Sequence, residues 1–299
     1  MPWTRREKRN LVKGLLFTSP WILGIGLFLV YPVAASLYHS FTDYNVFLPP
    51  MFVGLRNYSQ ILNDALFWKT LNNTFFYAAF ALPLTVISSI GIALLLNQPV
   101  RMRPVFRTIF FLPSLVPMVA LAILWQWIFN GRFGILNYFL SGALRPFGLS
   151  APNWMGDPLW TKPALVMTSL WGIGGSVVIY LAALQEVPVH LYEAADLDGA
   201  SIFRKFYHIT LPMISPVIFF NVIMGLIGAL QIFAVPFVMF GRGPADSTYF
   251  FAMYIYDNAF KYLRMGYASA MAWIMFAIIF GLTLLAARAG RKRIYYSAE

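Results

Sequence analysis

Long apolar stretches dominate the pattern of hydrophobic and polar positions along the chain. A helix that crosses the hydrocarbon core of a bilayer needs roughly 20 apolar residues. Six stretches reach that length, and apart from His39 at the end of the first, none contains Asp, Glu, Lys, Arg or His. The pattern therefore predicts an all-α integral membrane protein with six transmembrane helices. The predicted spans are 15–39, 71–97, 108–130, 163–185, 209–240 and 265–287.

Two of these spans have features of their own. The first follows a basic segment and so resembles a signal peptide, but its apolar run is too long for a cleaved signal and no small-residue cleavage site ends it. We therefore expect an uncleaved helix. The fifth span is long, and Pro212, Pro216 and Pro236 predict bends in it, because proline removes a backbone hydrogen bond from a helix.

Composition supports the membrane assignment. Of the 299 residues, 60% are apolar, 18% aromatic and only 11% charged, whereas soluble domains carry about 25% charged residues. This excludes a disordered chain, a coiled coil and an ordinary water-soluble enzyme.

The net charge of +11 is explained by membrane topology. Lys and Arg are concentrated in alternate connecting segments, with 14 in 59 residues against 8 in 87. Positively charged loops stay in the cytoplasm, so both termini are predicted to be cytoplasmic and no nucleic-acid partner is needed. The denser segments are 1–14, 98–107, 186–208 and 288–299; the others are 40–70, 131–162 and 241–264.

The chemistry missing from the sequence narrows the function. It has no Cys, no H-E-x-x-H metal pair and no G-x-x-x-x-G-K-[ST] phosphate loop, so we expect no catalytic residues, no metal site and no enzymatic activity. Proton relays and voltage sensors place an ionisable residue within the membrane. The six spans contain none apart from His39 at the end of the first, so neither function is expected. Sodium coupling stays open, because unwound backbone carbonyls bind Na⁺ without a charged side chain. Energy for pumping would have to enter from another subunit.

One predicted cytoplasmic loop, 187–212, has a distinct local pattern. Pro188 suits the first turn of a helix, Gly199 suits its C-terminal cap, and Ser201 is a good N-cap for a second helix. The spacing predicts a helix–glycine–helix elbow with small and apolar residues on one side. Such an elbow fits a groove on a partner protein, with Glu193 as a charged anchor at the rim.

The same loop resembles the EAA loop of permease subunits in ATP-binding-cassette (ABC) importers. The family pattern is E-A-A, three residues, G, nine residues and I-x-L-P, and it is filled here by Glu193, Ala194, Ala195, Gly199, Ile209, Leu211 and Pro212. The resemblance implies a type I ABC importer permease fold and a coupling helix that sits in a cleft of the ATPase subunit. The implied ATPase-coupling residues are Glu193, Ala194, Ala195, Asp198, Gly199, Ile202, Phe203 and Pro212.

Shorter stretches are similar to the carbohydrate-uptake branch of these permeases, namely 52–58, 106–107 with 112–113, 241–248 and 266–270. The resemblance implies a multi-pass subunit in the plasma (inner) membrane of a prokaryote. Its implied partners are a second permease, two ABC ATPases that carry ATP and Mg, and an extracytoplasmic solute-binding protein, while the chain itself holds no cofactor. The expected organisation is a cytoplasmic tail 1–14, a first span with its loop 15–70, a permease core 71–287 and a cytoplasmic tail 288–299.

Candidate solute contacts are the polar and aromatic residues of spans four and five. Aromatic faces and side-chain amides suit a sugar, and the resemblance places the segment before the loop and the helix after it around a midplane cavity. Packing between helices or an interfacial aromatic belt would use the same residue types. The candidates are Trp171, Gly174, Ser176, Tyr180, Asn221, Gln231 and Phe233.

The solute class stays open at this stage. An uncharged membrane interior favours a neutral di- or oligosaccharide. Glycerol 3-phosphate or another polyol is the alternative within the family, with Arg107 or Arg242 as a cation at a span edge. A stand-alone facilitator or a sodium-coupled transporter is the alternative from another class, and it predicts uptake without any ATPase.

Overall fold

The computed structural model describes residues 4–99 and 101–290. These residues divide into two compact units. One is built from the described residues up to Asp64 together with Ile255–Phe276, and the other from Ala65–Tyr254 together with the described residues from Ala277 onward.

The first unit begins with a long apolar helix. Thr4 caps it through a capping box, because its hydroxyl accepts from the Glu7 amide while the Glu7 carboxylate accepts from the Thr4 amide at 2.7 Å. A π-helical turn at Gly26–Val30 precedes Pro32, which has no amide hydrogen to donate. The predicted span 15–39 lies within this helix, Arg5–Ser40, which consists of α1 (Arg5–Ile25), the π turn and α2 (Tyr31–Ser40).

A small antiparallel hairpin, absent from the all-helical prediction, follows this helix. It consists of β1 (Thr42–Asn45) and β2 (Leu48–Phe52), with Thr42 opposite Phe52, and leads into α3 (Arg56–Leu62). Asn57 Nδ2 donates to the carbonyls of Ser40 and Thr42 at 2.9 Å each. A Cβ at Gly266 would collide with the Thr42 carbonyl oxygen. The 52–58 and 266–270 motifs therefore hold this junction together.

The remaining helices follow in chain order, and the larger unit holds most of them. They are α4 (Ala65–Asn97), α5 (Arg103–Phe111), α6 (Met118–Ile128), α7 (Ile135–Leu144), α8 (Pro158–Ser169), α9 (Gly174–Glu186), α10 (Val189–Leu197), α11 (Ile202–Lys205), α12 (Leu211–Met213), α13 (Ser215–Leu230), α14 (Ala234–Phe240), α15 (Phe251–Tyr256) and α16 (Met265–Gly290).

The prediction of a helical membrane protein with six spans is confirmed by length and composition. Four helices of the described chain are long and apolar enough to cross a bilayer, and two bent helix pairs bring the number to six if each pair is one span. The four are Arg5–Ser40, Ala65–Asn97, Ser215–Phe240 and Met265–Gly290.

The third and fourth predicted spans are broken instead of continuous. Arg103–Leu115 and Met118–Ile128 meet at 98°, because Val116 and Pro117 are extended and proline disfavours a helical conformation in the preceding residue. Pro158–Ser169 and Gly174–Glu186 meet at 46° across a short turn. Both breaks move backbone polar groups out of regular helix.

In the fifth span, the interruption falls between α13 and α14, at residues 231–233. Pro236 lies three residues after it, in the first turn of α14, where a backbone amide has no partner within the helix. Pro216 is likewise in the first turn of α13. These two prolines therefore mark helix starts.

A buried apolar cluster of the larger unit lies where α4 and α9 pack against the start of α13. Its side chains are aliphatic, apart from Tyr180, which is fully buried. This cluster forms the support beneath the loop 187–212. Its buried members are Ala93, Leu96, Val177, Tyr180, Leu181, Ala183, Leu184, Val187 and Ile214.

Candidate functional site

The loop 187–212 folds into the predicted elbow. Pro188 is the extended N-cap of α10, and Gly199 lies just past its end at φ +68°, a conformation that favours glycine. The Ala200 amide donates to the Ala195 carbonyl at 2.9 Å and the Gly199 amide donates to the Asp196 carbonyl at 3.1 Å. These two bonds form a Schellman cap.

The second arm of the elbow starts at Ser201. The Ser201 hydroxyl accepts from the Arg204 amide at 3.5 Å, as an N-cap of α11. Capping at both sides of Gly199 fixes the turn between α10 and α11. The local chemistry of the sequence therefore accounts for the shape of the elbow.

An apolar patch is exposed where the two arms meet. Leu197, Ile202 and Phe203, here called the elbow tip, are 91%, 83% and 77% exposed. Glu193 is also exposed. Clustered exposed apolar side chains beside a charge are typical of a protein-binding surface. Sequence analysis did not select Leu197, although its position directly before the capping turn could have indicated it.

The other predicted coupling residues are spread along the elbow. Ala194, Asp198 and Gly199 are exposed and Ala195 is half-buried. Pro212 lies apart from the tip, half-buried in α12 at the entry to α13.

A polar cavity of about 130 Å³ lies among α4, α9 and α13. It brings together three of the predicted solute contacts, Ser176, Tyr180 and Asn221. Thr85 and Ser89, on span two, were missed by sequence analysis; their signal was a run of hydroxyl groups in an otherwise apolar stretch. The lining residues are Leu82, Thr85, Val86, Ser89, Ser176, Tyr180, Asn221, Met224 and Gly225.

Several polar atoms of this cavity are already paired within their own helices. Thr85 Oγ1 donates to the Leu82 carbonyl at 3.0 Å, Ser89 Oγ donates to the Thr85 carbonyl at 2.6 Å, and Asn221 Nδ2 donates to the Val217 carbonyl at 2.9 Å.

Two other polar atoms near the cavity differ from these. Asn221 keeps its amide oxygen as an acceptor, and Tyr180 Oη is buried without a hydrogen-bond partner among the described residues. An unpaired buried hydroxyl is destabilising by about 1–3 kcal/mol, so any group that hydrogen-bonds to Tyr180 Oη, including a water molecule, would stabilise this region.

The remaining predicted solute contacts lie outside this cavity. Trp171 packs edge-on against Trp125, with ring centroids 5.8 Å apart. Gly174 is a close-packing position, because a Cβ there would collide with the Phe110 carbonyl of α5. Gln231 is exposed at the break between α13 and α14, and Phe233 stacks on Phe237 at 5.1 Å.

A further polar anchor, missed by sequence analysis, holds the second half of the broken helix. Gln126 Nε2, on α6, donates to the carbonyls of Val238 and Met239 at 2.8 and 2.9 Å. These hydrogen bonds hold α14 against span three, so the helix that follows the break at 231–233 is fixed in position. A lone glutamine in an apolar span was the available signal.

Comparison with known proteins identifies the family of this chain. Residues 81–294 match the family described as binding-protein-dependent transport system inner membrane component. The chain is 34% identical to the sulfoquinovosyl glycerol transport system permease protein SmoG of Agrobacterium fabrum, over 97% of this chain and 94% of SmoG. It is 33% identical to the lactose transport system permease protein LacF of Rhizobium radiobacter, over 94% and 95%.

The fold is also similar to a solved structure. A chain of the bacterial alginate ABC transporter, in complex with an alginate pentasaccharide-bound periplasmic protein, superposes with a TM-score of 0.82. The two sequences are 23% identical, over 95% of this chain and 96% of the other. With its apolar helices, its elbow and this match over most of its length, the chain belongs to the family of binding-protein-dependent transport system inner membrane components, the multi-pass permease subunits of ABC transporters.

Proposed function

We propose that this chain is one of two permease subunits of an ATP-driven importer that carries a saccharide across a prokaryotic plasma membrane. The solute arrives on an extracytoplasmic binding protein, and two ATPase subunits on the cytoplasmic side supply the energy. ATP and Mg bind to those subunits. This chain contributes the solute path and the mechanical connection to the ATPases.

One observation carries the proposal: the elbow and the cavity share the same two helices. The elbow connects the end of α9 to the start of α13, and α9 and α13 are two of the three walls of the polar cavity. A displacement of the elbow therefore moves two cavity walls relative to α4. This is the link that alternating access requires between ATP turnover and solute release.

The elbow tip has the chemistry of an ATPase contact. Leu197, Ile202 and Phe203 are exposed, and burial of such side chains stabilises an interface by about 1.5–3 kcal/mol each. Glu193 supplies a charge at the rim. The excess of Lys and Arg in the connecting segments on the same side of the predicted topology supports a cytoplasmic location of this surface.

The break at Gln231 supports a second permease. Non-helical backbone within a membrane is stable only where protein covers it or where it lines a water-filled cavity. Gln231 is exposed in this chain, so a partner subunit or an aqueous path must lie against it. A path between two permeases meets both conditions.

The cavity chemistry favours a saccharide as the solute. Ser176 and Asn221 offer neutral hydrogen-bonding groups to a hydroxyl-bearing part of a solute, since a cavity of about 130 Å³ is too small for a whole disaccharide. SmoG and LacF, both named for glycoside transport, are similar to this chain over nearly its whole length. The relatives support a saccharide, and the uncharged membrane interior favours a neutral di- or oligosaccharide as the cargo; an acidic saccharide or glycerol 3-phosphate is the alternative that the test below separates.

The proposal is tested on the native complex, purified through an affinity tag on this chain. We expect a second permease and an ATPase to co-purify. We also expect ATP hydrolysis by the complex in proteoliposomes to rise when the binding protein is added with one member of a panel. The panel contains maltose, trehalose, lactose, alginate oligosaccharides and glycerol 3-phosphate. Uptake that persists without an ATPase would overturn the proposal in favour of a facilitator.

A further inference from the structure

Tyr192, on the inner side of the elbow, makes two kinds of contact. Its half-buried ring packs against the apolar cluster of α4, α9 and Ile214. Its hydroxyl lies 2.9 Å from Thr210 Oγ1. Thr210 is only 5% exposed and lies at the base of span five. Tyr192 therefore connects the first arm of the elbow to the segment that enters α13.

The direction of this hydrogen bond follows from the second bond of Thr210. Thr210 Oγ1 donates to the Lys205 carbonyl at 3.4 Å. A hydroxyl has a single hydrogen to donate, so Thr210 Oγ1 accepts from Tyr192 Oη–H. The result is a directed chain from Tyr192 through Thr210 to Lys205.

Backbone geometry explains why Thr210 faces inward. Residues Phe206–Thr210 form a π-helical turn, in which the Leu211 amide bonds to the Phe206 carbonyl. Pro212 follows and has no amide hydrogen to continue an α-helical ladder. A π turn inserts one residue and so changes which face the following side chains occupy. The π-helical turn therefore helps to place the Thr210 hydroxyl on the face that meets Tyr192.

A second side-chain contact joins the two arms of the elbow, α10 and α11. Lys205 Nζ forms an ion pair with Asp196 Oδ1. The Lys205 side chain is 19% exposed and that of Asp196 is 64% exposed, so salt screens this pair. The Tyr192–Thr210 bond is the better shielded of the two, because Thr210 is buried.

We infer that Tyr192 and Thr210 are positioning residues for transport, forming a strut through which movement of the elbow reaches span five. The inference rests on the proposed function. Without the strut, the polar side-chain link among the described residues between α10 and the segment that leads into α13 is the partly exposed Asp196–Lys205 pair, beside the capping turn and the packing of the Tyr192 ring. Force applied at the elbow tip would then be absorbed by bending within the elbow instead of displacing α13.

The chain offers matched variants for a test. Tyr192→Phe removes the hydroxyl and keeps the packed ring, Thr210→Val removes the acceptor, and Thr210→Ser keeps it. Tyr207→Phe is the control, because Tyr207 lies on the same elbow, is 61% exposed and has no hydroxyl partner among the described residues.

The main measurement is made on the tagged native complex. It is the ratio of ATP turnover with the binding protein and the stimulating saccharide to turnover without them. We expect Tyr192→Phe and Thr210→Val each to lower this ratio about fivefold, the factor that corresponds to one hydrogen bond of about 1 kcal/mol. Thr210→Ser and Tyr207→Phe should leave it near wild type. The double variant Tyr192→Phe/Thr210→Val should lower it no further, because both changes break the same bond.

Hydrogen–deuterium exchange on the full chain in nanodiscs gives an independent measurement. Tyr192→Phe should speed exchange of the amides in 206–214, and Tyr207→Phe should not. Faster exchange with an unchanged turnover ratio would overturn the coupling role while the permease function stands. Unchanged exchange would overturn the strut itself. A wild-type complex that lacks an ATPase would overturn the proposed function, and the coupling role with it.

Discussion

Phe203 gives the sharpest test of the elbow tip as the ATPase-docking surface. Its side chain is 77% exposed in this chain, so Phe203→Ala removes little packing and should change folding stability by less than about 0.5 kcal/mol. Full burial of a phenylalanine side chain stabilises by about 1.5–3 kcal/mol. Because roughly three quarters of the side chain is free to be buried, the expected loss on docking is about 1–2 kcal/mol.

That loss converts to a measurable change in affinity. At 1.4 kcal/mol per factor of ten, the ATPase subunit should bind the Phe203→Ala permease about five- to thirtyfold more weakly. The assay is interferometry, with the permease held in nanodiscs and the ATPase subunit in solution. A thermal melt of the same samples should show equal midpoints for variant and wild type.

Phe139 supplies the matched control. It is 67% exposed, on α7, in a segment predicted to face the other side of the membrane. Phe139→Ala removes the same chemical group and should leave ATPase affinity unchanged. Equal loss in both variants, or no loss in Phe203→Ala, would refute the assignment of the elbow tip.

Substitutions at three positions probe the capping turn of the elbow, the side chain of Asn73 that holds the segment 246–249, and the cavity. Gly199→Val places a side chain at φ +68°, which costs about 1–2 kcal/mol, so the variant should bind the ATPase subunit more weakly. Gly199→Asn should weaken binding less, because asparagine tolerates this conformation better. Equal binding by the two variants would contradict the role of the capping turn. Asn73→Ala removes the side-chain amide Nδ2 that donates to the Asp246 carbonyl at 2.9 Å and to the Tyr249 carbonyl at 3.0 Å. The free energy of unfolding should fall by about 2–3 kcal/mol. An unchanged thermal midpoint would show that these two hydrogen bonds do not stabilise the fold. Asn221→Leu should raise the transport KM by up to about tenfold, the value of one hydrogen bond to solute, with ATPase co-purification intact; an unaltered KM would place the solute elsewhere.

The elbow is the part of the site that sequence reasoning predicts in most detail. Its shape depends on residues that act within a few positions of themselves: Pro188 before the first arm, Gly199 past its end and Ser201 before the second arm. Each has a backbone requirement that does not depend on the rest of the fold. The structure has all three in those roles.

The cavity was only partly predictable. Ser176 and Asn221 were selected by their chemistry, and the structure brings them together. Thr85 and Ser89 were missed because apolar residues surround α4 on all sides, so no amphipathic pattern marks the face that meets α9 and α13. Which faces pack together is decided by contacts between helices far apart in sequence.

The broken third span shows a different kind of miss. Pro113 and Pro117 lie in the apolar stretch 108–130 and argue for an interruption. Counting apolar residues alone treats the stretch as one straight helix. The 98° bend follows from proline chemistry that the length criterion ignores.

The two ends of α9 explain how a small movement at the elbow can reach the cavity. At its start, Gly174 packs so closely on the Phe110 carbonyl that a Cβ would not fit, which makes this end a pivot. Its last residue, Glu186, leads into the elbow. With a rise of about 1.5 Å per residue, Glu186 lies about 18 Å from the pivot and Tyr180 about 9 Å from it. A tilt that displaces the elbow end by about 3 Å would therefore move Tyr180, and with it this wall of the cavity, by about 1.5 Å, half the length of a hydrogen bond. On the proposed function, this mechanical input is what alternates the cavity between holding and releasing the solute.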